Sequence, residues 1–194
     1  MSRVGGRTAL LAVVLTAVLV GMIGMKQWTL TTGTPVLLET APVDPRSLFR
    51  GDYVRLNYKI SRLDLGKLGG DKDFSAHDTA WVVLEQAQRY WHAVAVYRHR
   101  PDAAPGQVII KGEVRWADGR GSAFAPPVPT RQPRFLVMRY GIESYFVPEG
   151  TGRAIERRGA QTPLDILVAV DRFGNAGIKA VELDGREIYR ESLF

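Results

Sequence analysis

The sequence predicts a mostly β, antiparallel domain preceded by one N-terminal transmembrane helix. Three observations lead to this prediction. Residues 8–25 form an uncharged apolar run, several later segments alternate apolar and polar residues, and turns rich in Gly, Asn and Asp separate those segments. A long unbroken apolar run is typical of a membrane helix, whereas alternation with a period of two is typical of half-buried strands.

The apolar run at residues 8–25 is predicted to cross a membrane. About 18 helical residues span roughly 27 Å, which is close to the hydrocarbon thickness of a bilayer. A cleaved signal peptide has a shorter apolar region followed by a small-x-small site. Here Gly21 and Gly24 alone leave cleavage open. We therefore expect an uncleaved anchor at 8–25, after a tail at 1–7 and before a linker at 26–35.

The charges on either side of the anchor predict its orientation. Arg3 and Arg7 precede the apolar run, whereas Lys26 follows it, just before an interfacial Trp28. The positive-inside rule therefore places the N-terminal tail in the cytoplasm. Residues 36–194 are expected to form an extracytoplasmic domain at the bacterial cytoplasmic membrane, with the lipid bilayer as one partner.

Composition excludes several classes of function. The chain has no cysteine, so thiol catalysis and cysteine-bound metals are excluded. A domain of about 160 residues can bury a sufficient core without disulfides, even in an oxidising compartment. The net charge is +6, and Arg3, Arg7 and Lys26 contribute part of it beside the anchor. This balance is too mild to indicate nucleic acid as a partner.

Strand signals dominate the rest of the chain. The clearest alternation lies at residues 52–60, and residues 80–85 and 91–98 have the pattern of a hairpin. One short basic helix is predicted at 150–158. The predicted strands are 36–39, 52–60, 80–85, 91–98, 108–116, 134–140, 165–171, 177–183 and 187–189.

One motif stands out in the segment PVDPRSLFRGDYVRLNYKI at residues 42–60. It fills every specified position of G-D-Y-x-x-L-x-Y. The motif residues are Gly51, Asp52, Tyr53, Leu56 and Tyr58. The chain therefore resembles the membrane-anchored GDYXXLXY family, and residues 42–46 and 140–150 are similar to that family as well. The resemblance implies a shared architecture rather than an activity, with a multi-pass membrane protein as a possible partner class.

The motif has two interpretations. In the first it is scaffolding: Gly51 and Asp52 form a turn that opens a strand, because Gly tolerates positive φ and Asp bonds nearby backbone. Leu56 and Tyr58 then point to the core, and the turn aspartate is a candidate partner for the tyrosine hydroxyl. In the second interpretation a charged edge contacts a ligand or partner. The candidate contact residues are Asp44, Arg46, Arg50, Tyr53, Arg55, Glu149 and Arg153.

No pattern of catalytic residues emerges. The segment from Ser47 to Val54 is similar to a box of type I signal peptidases, but Val43 occupies the position of their nucleophilic serine. Glu143, Glu149 and Glu156 are candidates for paired carboxylates, although neighbouring arginines favour solvated ion pairs. Histidine spacing indicates no metal site, and no cofactor is expected.

The expected function is therefore a non-enzymatic accessory or interaction subunit of a membrane assembly. The alternative is a tethered ligand-binding domain or hydrolase that uses the edge from Asp44 to Arg55. The basic run at 153–158 is open to two interpretations as well: a solvated helix face, or contact with anionic headgroups, which attract basic residues held near a bilayer.

Overall fold

A computed structural model describes residues 2–41, 53–117, 133–146, 164–183 and 186–190. The chain begins with one long helix, α1 (Ser2–Thr32), and continues with short and medium strands. In order these are β1 (Thr34–Glu39), β2 (Tyr53–Arg55), β3 (Arg62–Asp64), β4 (Gly69–Gly70), β5 (Thr79–Ala87), β6 (Tyr90–Tyr97), β7 (Gln107–Ala117), β8 (Phe135–Arg139), β9 (Ser144–Phe146), β10 (Asp165–Val170), β11 (Ala176–Leu183) and β12 (Arg186–Arg190). The predicted fold class is confirmed.

The strands form three sheets. The largest has six strands in the order β3-β8-β7-β5-β6-β4, and a second has four strands in the order β1-β10-β11-β12. A small third sheet pairs β2 with β9. Neighbours are antiparallel except for β4 and β6, which run parallel. The predicted hairpin at 80–98 is the β5–β6 pair, and the predicted hairpin at 165–183 is the β10–β11 pair.

One hydrophobic core lies between the two larger sheets. Each contributes the apolar residues of its inward face, as strand alternation requires. The four-stranded sheet supplies Val36, Leu38, Ile166 and Val168, and the six-stranded sheet supplies Val82, Leu84, Ile110, Val114 and Leu136. The segment after β2 adds Leu56, Tyr58 and Ile60, so the motif region belongs to this core.

The predicted strand at 52–60 is corrected. β2 ends at Arg55, Tyr58 makes a single bridge to Thr40, and Lys59–Ser61 form one turn of 3₁₀ helix. The alternating burial is present nonetheless, since Leu56, Tyr58 and Ile60 are buried while Asn57 and Lys59 are exposed. Side chains of an extended chain point alternately to opposite sides even where its backbone groups are not paired with a neighbouring strand. The predicted helix at 150–158 lies outside the described residues.

The structure gives residues 26–35, predicted as a linker, regular secondary structure. α1 continues to Thr32 and β1 begins at Thr34, so residues 26–35 hold the end of a helix and the start of a strand. In the Thr-rich end of α1, side-chain hydroxyls bond carbonyls one turn back. Thr31 Oγ1 donates to the Gln27 carbonyl at 2.9 Å, and Thr32 Oγ1 donates to the Trp28 carbonyl at 2.8 Å. These bonds satisfy side chains that otherwise compete with the helix.

α1 has the length and composition of a membrane-spanning helix. Within the described part of the chain it is the one such helix, over Gly6–Thr32, with a mean hydropathy of 2.4. None of its apolar window is buried against the domain. At 1.5 Å per residue, its 27 residues are about 40 Å long, whereas the hydrocarbon core is about 30 Å thick.

Candidate functional site

Tyr58, the last motif residue, joins two segments that are far apart in sequence. Its side chain is 1% exposed, and its hydroxyl donates a 2.6 Å hydrogen bond to the Ile142 carbonyl. Ile142 is thus the partner of this hydroxyl among the described residues, and Asp52, the partner suggested by the sequence, lies outside them. Two residues before it, the Leu56 amide donates to the Glu143 carbonyl at 2.9 Å.

A second tyrosine makes a similar hydrogen bond from the β8–β9 connection to the motif segment. Tyr140 is buried, and its hydroxyl donates to the Ile60 carbonyl at 2.8 Å. Each tyrosine thus bonds a carbonyl two residues beyond the other. We call Tyr58, Ile60, Tyr140 and Ile142 the tyrosine clamp. It fixes the motif segment against the β8–β9 connection, which supports the scaffolding interpretation for Leu56 and Tyr58.

Burial gives the tyrosine clamp a specific pH dependence. Burial first, and the nearby Glu143 carboxylate second, raise the pKa of both Tyr58 and Tyr140 well above 10.0. Above pH 10 the unfolded chain ionises while the folded chain stays neutral, so stability is complete below pH 10 and falls as the pH rises through the folded-state values. Each tyrosine steepens this loss by about 1.4 kcal/mol per pH unit.

Urea titrations of the full chain in mild detergent between pH 9 and 11 should show a shallower dependence of the unfolding free energy on pH in Tyr58→Phe. An unchanged slope contradicts the assignment.

Glu143 has a structural role in the β8–β9 connection. Its carboxylate accepts the backbone N–H groups of Tyr140 and Gly141, the latter at 3.0 Å. Gly141 has φ 83°, a left-handed conformation that glycine adopts at little cost. Glu143 is therefore held by two amides and makes no ion pair with a described arginine, whereas Arg153 lies outside the described residues. Glu149 and Glu156 lie outside the described residues.

An open cleft of about 1000 Å³ lies beside the clamp. Its walls come from the motif segment, from β7 and β8, from the β8–β9 connection and from the start of β11. The lining side chains that carry charge are Lys111, Glu113, Arg115, Arg139 and Glu143. Leu56, Asn57, Ser144, Asn175 and Ala176 line it as well. We call this space the β7 cleft.

The β7 cleft presents an excess of positive charge. Both of its acids are engaged: Glu143 by the two amides above, and Glu113 by His77 Nδ1 at 2.9 Å and by Arg139. The hydrogen bond from His77 and then that from Arg139 lower the pKa of Glu113. Arg115 makes no ion pair with any described residue, and the Lys111 ammonium lies 5.7 Å from the ring centroid of Trp81. Among the described residues that line the cleft, Lys111 and Arg115 are therefore the cations that make no ion pair with another described residue.

An unexpected contact joins α1 to the domain. Thr29 Oγ1 donates a 2.7 Å hydrogen bond to Asp171 Oδ2. The other Asp171 oxygen accepts the N–H groups of Phe173 at 2.8 Å and Asn175 at 2.9 Å, which shapes the β10–β11 turn. Burial raises the pKa of Asp171, but the hydrogen bonds from Thr29 and Asn175 outweigh it and hold that pKa below 3.8.

Two glycines allow α1 to approach the sheet closely. A Cβ on Gly33 would lie 2.5 Å from the Thr29 carbonyl oxygen and 3.0 Å from the Val170 nitrogen, so no larger residue fits. On the facing strand, a Cβ on Gly177 would lie 2.8 Å from a methyl of Leu30. We call the contacts of Thr29, Leu30 and Gly33 with Asp171 and Gly177 the helix junction. It connects the helix to the domain directly, without a flexible segment.

Comparison with protein families identifies the architecture. The family model described as GDYXXLXY protein matches residues 15–181, which include most of α1, the tyrosine clamp, the β7 cleft and the helix junction. The chain belongs to the GDYXXLXY family. No curated protein and no solved structure matches it.

Only part of the GDYXXLXY motif and its charged edge can be placed. Asp44, Arg46, Arg50, Gly51, Asp52, Glu149 and Arg153 lie outside the described residues. For Tyr53 and Arg55 the backbone is described, and β2 pairs them with Phe146 and Ser144. Because Ser144 lines the β7 cleft, the motif strand lies along its wall.

A metal centre has no candidate ligands in the part of the chain that the structure describes. Over 2–41, 53–117, 133–146, 164–183 and 186–190, no group of three or more His, Asp or Glu side chains is placed to hold an ion. What the β7 cleft offers a ligand or partner is basic side chains and hydrogen-bonding groups on a rigid wall.

Proposed function

We propose that this GDYXXLXY protein is a single-pass protein of a bacterial cytoplasmic membrane, with its β domain on the extracytoplasmic side. The apolar span over Gly6–Thr32 supports the anchor. Arg3 and Arg7 before the apolar run, against Lys26 after it, support the orientation through the positive-inside rule.

The helix junction supports a position of the domain close to the membrane surface. About 20 helical residues cross the hydrocarbon core, so the last turns of a span that ends at Thr32 extend beyond it. Those turns hold Thr29 and Leu30, which contact Asp171 and Gly177. The domain is therefore held at a fixed height and angle by the helix itself.

Within this arrangement the proposed role is that of a non-enzymatic accessory subunit whose β7 cleft binds a membrane partner. One observation carries the proposal: the cleft adjoins the helix junction, since the Lys111 amide donates to the Gly174 carbonyl at 2.8 Å. Asn175 and Ala176, which follow that turn, line the cleft wall. A basic cleft at this position suits an acidic loop that projects only a short distance from the bilayer, as in a multi-pass membrane protein.

Affinity purification in mild detergent tests this role. The wild-type full chain should copurify with a membrane protein, and the double variant Lys111→Glu, Arg115→Glu should lose it at least tenfold, because each reversal turns attraction into repulsion at the contact. Lys67→Glu is the matched control, since Lys67 is exposed and lies outside the cleft. A wild-type chain that reproducibly purifies alone, or a double variant that keeps its partner, contradicts the proposal.

The size of the β7 cleft favours one alternative, a tethered ligand-binding domain. At about 1000 Å³ it lies at the upper end of the range of small-molecule sites. The same purification separates the two functions. The alternative is supported if the chain purifies without a protein partner but carries a small molecule. That molecule should be released on denaturation and be absent from the double variant.

A further inference from the structure

A crevice of about 450 Å³ separates the end of α1 from the β10–β11 turn. One wall consists of Met25, Lys26, Trp28 and Thr29, and the other includes Arg172 and Phe173. Two aromatic side chains are unusually open here: Trp28 is 57% exposed and Phe173 is 54% exposed. An exposed phenylalanine at the tip of a tight turn has no function in the domain core.

We infer that the β10–β11 turn inserts into the interfacial layer of the bilayer that α1 crosses, with Phe173 among the headgroups and lipid filling the crevice. This inference rests on the proposed membrane anchor. It makes the turn a second, peripheral membrane contact beside the helix, and it gives the domain a defined orientation on the lipid surface.

Depth along α1 supports this assignment. Met25 is the last residue of the apolar run, and Lys26 and Trp28 are of the types that mark the membrane interface. Because Met25 and Phe173 line the same crevice, the tip of the turn lies at the level where the helix leaves the hydrocarbon. The hydrogen bond from Thr29 to Asp171 prevents the turn from swinging away.

Charge at the turn suits the same environment. The Arg172 guanidinium lies 4.7 Å from the centroid of the Phe173 ring, and Arg100 donates to the Arg172 carbonyl at 2.9 Å. One exposed guanidinium group, that of Arg172, therefore lies over the exposed ring, and a second, that of Arg100, is bonded to the same turn. Lipid phosphates bind guanidinium groups strongly, and an aromatic ring with a cation beside it fits the boundary between headgroup and acyl chain.

Depth-dependent fluorescence quenching tests the inference on the full chain. Since the chain has no cysteine, single substitutions allow one environment-sensitive label at a time. Phe173→Cys places it on the turn, with Arg172→Cys as a second position there. Val14→Cys reports the middle of α1. Gln86→Cys reports the end of the domain far from the helix junction. Arg89, in the turn that follows Gln86, contacts Asp165, which lies at the end of β10 opposite to the β10–β11 turn. The chain is reconstituted in phosphatidylcholine–phosphatidylglycerol vesicles that carry nitroxides at the headgroup or deep in the acyl chain.

The expected pattern is specific to each position. The labels at 173 and 172 should be quenched by headgroup nitroxides, the label at 14 by deep nitroxides, and the label at 86 by neither. A label at 14 that is quenched while those at 173 and 172 resemble the one at 86 overturns the turn contact and leaves the anchor intact. A label at 14 that is not quenched overturns the anchor itself.

The charge argument has its own measurement. In the Phe173→Cys background, Arg100→Glu with Arg172→Glu should reduce headgroup quenching in vesicles that contain phosphatidylglycerol. Lys67→Glu, an exposed reversal elsewhere, should leave the quenching unchanged. Equal quenching in the double reversal and in its parent would refute a phosphate contact by the two arginines.

Discussion

Tyr58→Ala should destabilise the domain by about 3–5 kcal/mol, the usual cost of truncating a large buried ring. Tyr58 is 1% exposed and packs in the core between the two larger sheets. Its loss opens a cavity and leaves the Ile142 carbonyl without its donor. Urea unfolding of the full chain in mild detergent, followed by a β-sheet signal, measures the change. The midpoint should fall while the dependence on urea stays the same.

Hydroxyl deletions separate packing from hydrogen bonding in this experiment. Tyr58→Phe keeps the ring and should cost about 1–3 kcal/mol, because a buried carbonyl is left unpaired. Tyr140→Phe should cost a similar amount at Ile60. Since both bonds join the same two segments, the double variant should deviate from additivity. Tyr97→Phe, a partly exposed tyrosine in β6, is the control and should stay within about 0.5 kcal/mol. Equal losses in Tyr58→Phe and Tyr97→Phe contradict the tyrosine clamp.

The strands could be predicted because their signals are local. Alternation at 80–98 and 108–116 follows from one buried face, and the hairpin at 165–183 was marked by its Phe-Gly-Asn turn. The same rule failed at 52–60, where side chains alternate but the backbone pairs with Thr40 and Glu143 rather than with one neighbouring strand. The end of α1 was missed for a related reason. Helix propensity counts Thr31 and Thr32 against the helix, although each hydroxyl bonds a backbone carbonyl one turn earlier.

Sites are harder to predict because they depend on contacts between distant segments. The sequence placed Leu56 and Tyr58 on an apolar face, and both are buried. It could not identify Ile142 as the partner of Tyr58, since 84 positions separate them. The charge of the β7 cleft was hidden for a similar reason, because Glu113 is bonded by His77 from the turn before β5 and by Arg139 from β8. Asp171 is the last residue of the strand predicted at 165–171, and only the fold brings Thr29 to it.

Asp171→Ala should loosen the helix junction more than any other single change in the β10–β11 turn. The carboxylate of Asp171 accepts from Thr29 and from the amides of Phe173 and Asn175, and it is 7% exposed. Each buried group left unpaired costs about 1–3 kcal/mol. Spin labels at Val14→Cys and Gln86→Cys, one on α1 and one at the distal end of the domain, should give a narrow distance distribution in the parent chain. The alanine variant should broaden it.

Two variants and one pH titration distinguish a role of Asp171 in the helix junction from a general loss of folding. Asp171→Asn keeps an acceptor for the turn amides but cannot accept from Thr29 in the same way, and Thr29→Val removes the donor alone. Both should broaden the distance distribution while urea stability changes little. The pKa of Asp171 is lower than 3.8 in the folded chain, so its contribution is complete above that value and is lost as the pH falls through the folded-state pKa. The parent chain should therefore stay narrow down to pH 3.8 and approach the broad distribution of Thr29→Val only below that value. A distribution that stays narrow in Asp171→Ala means that Gly33 and Leu30 hold the helix without the carboxylate.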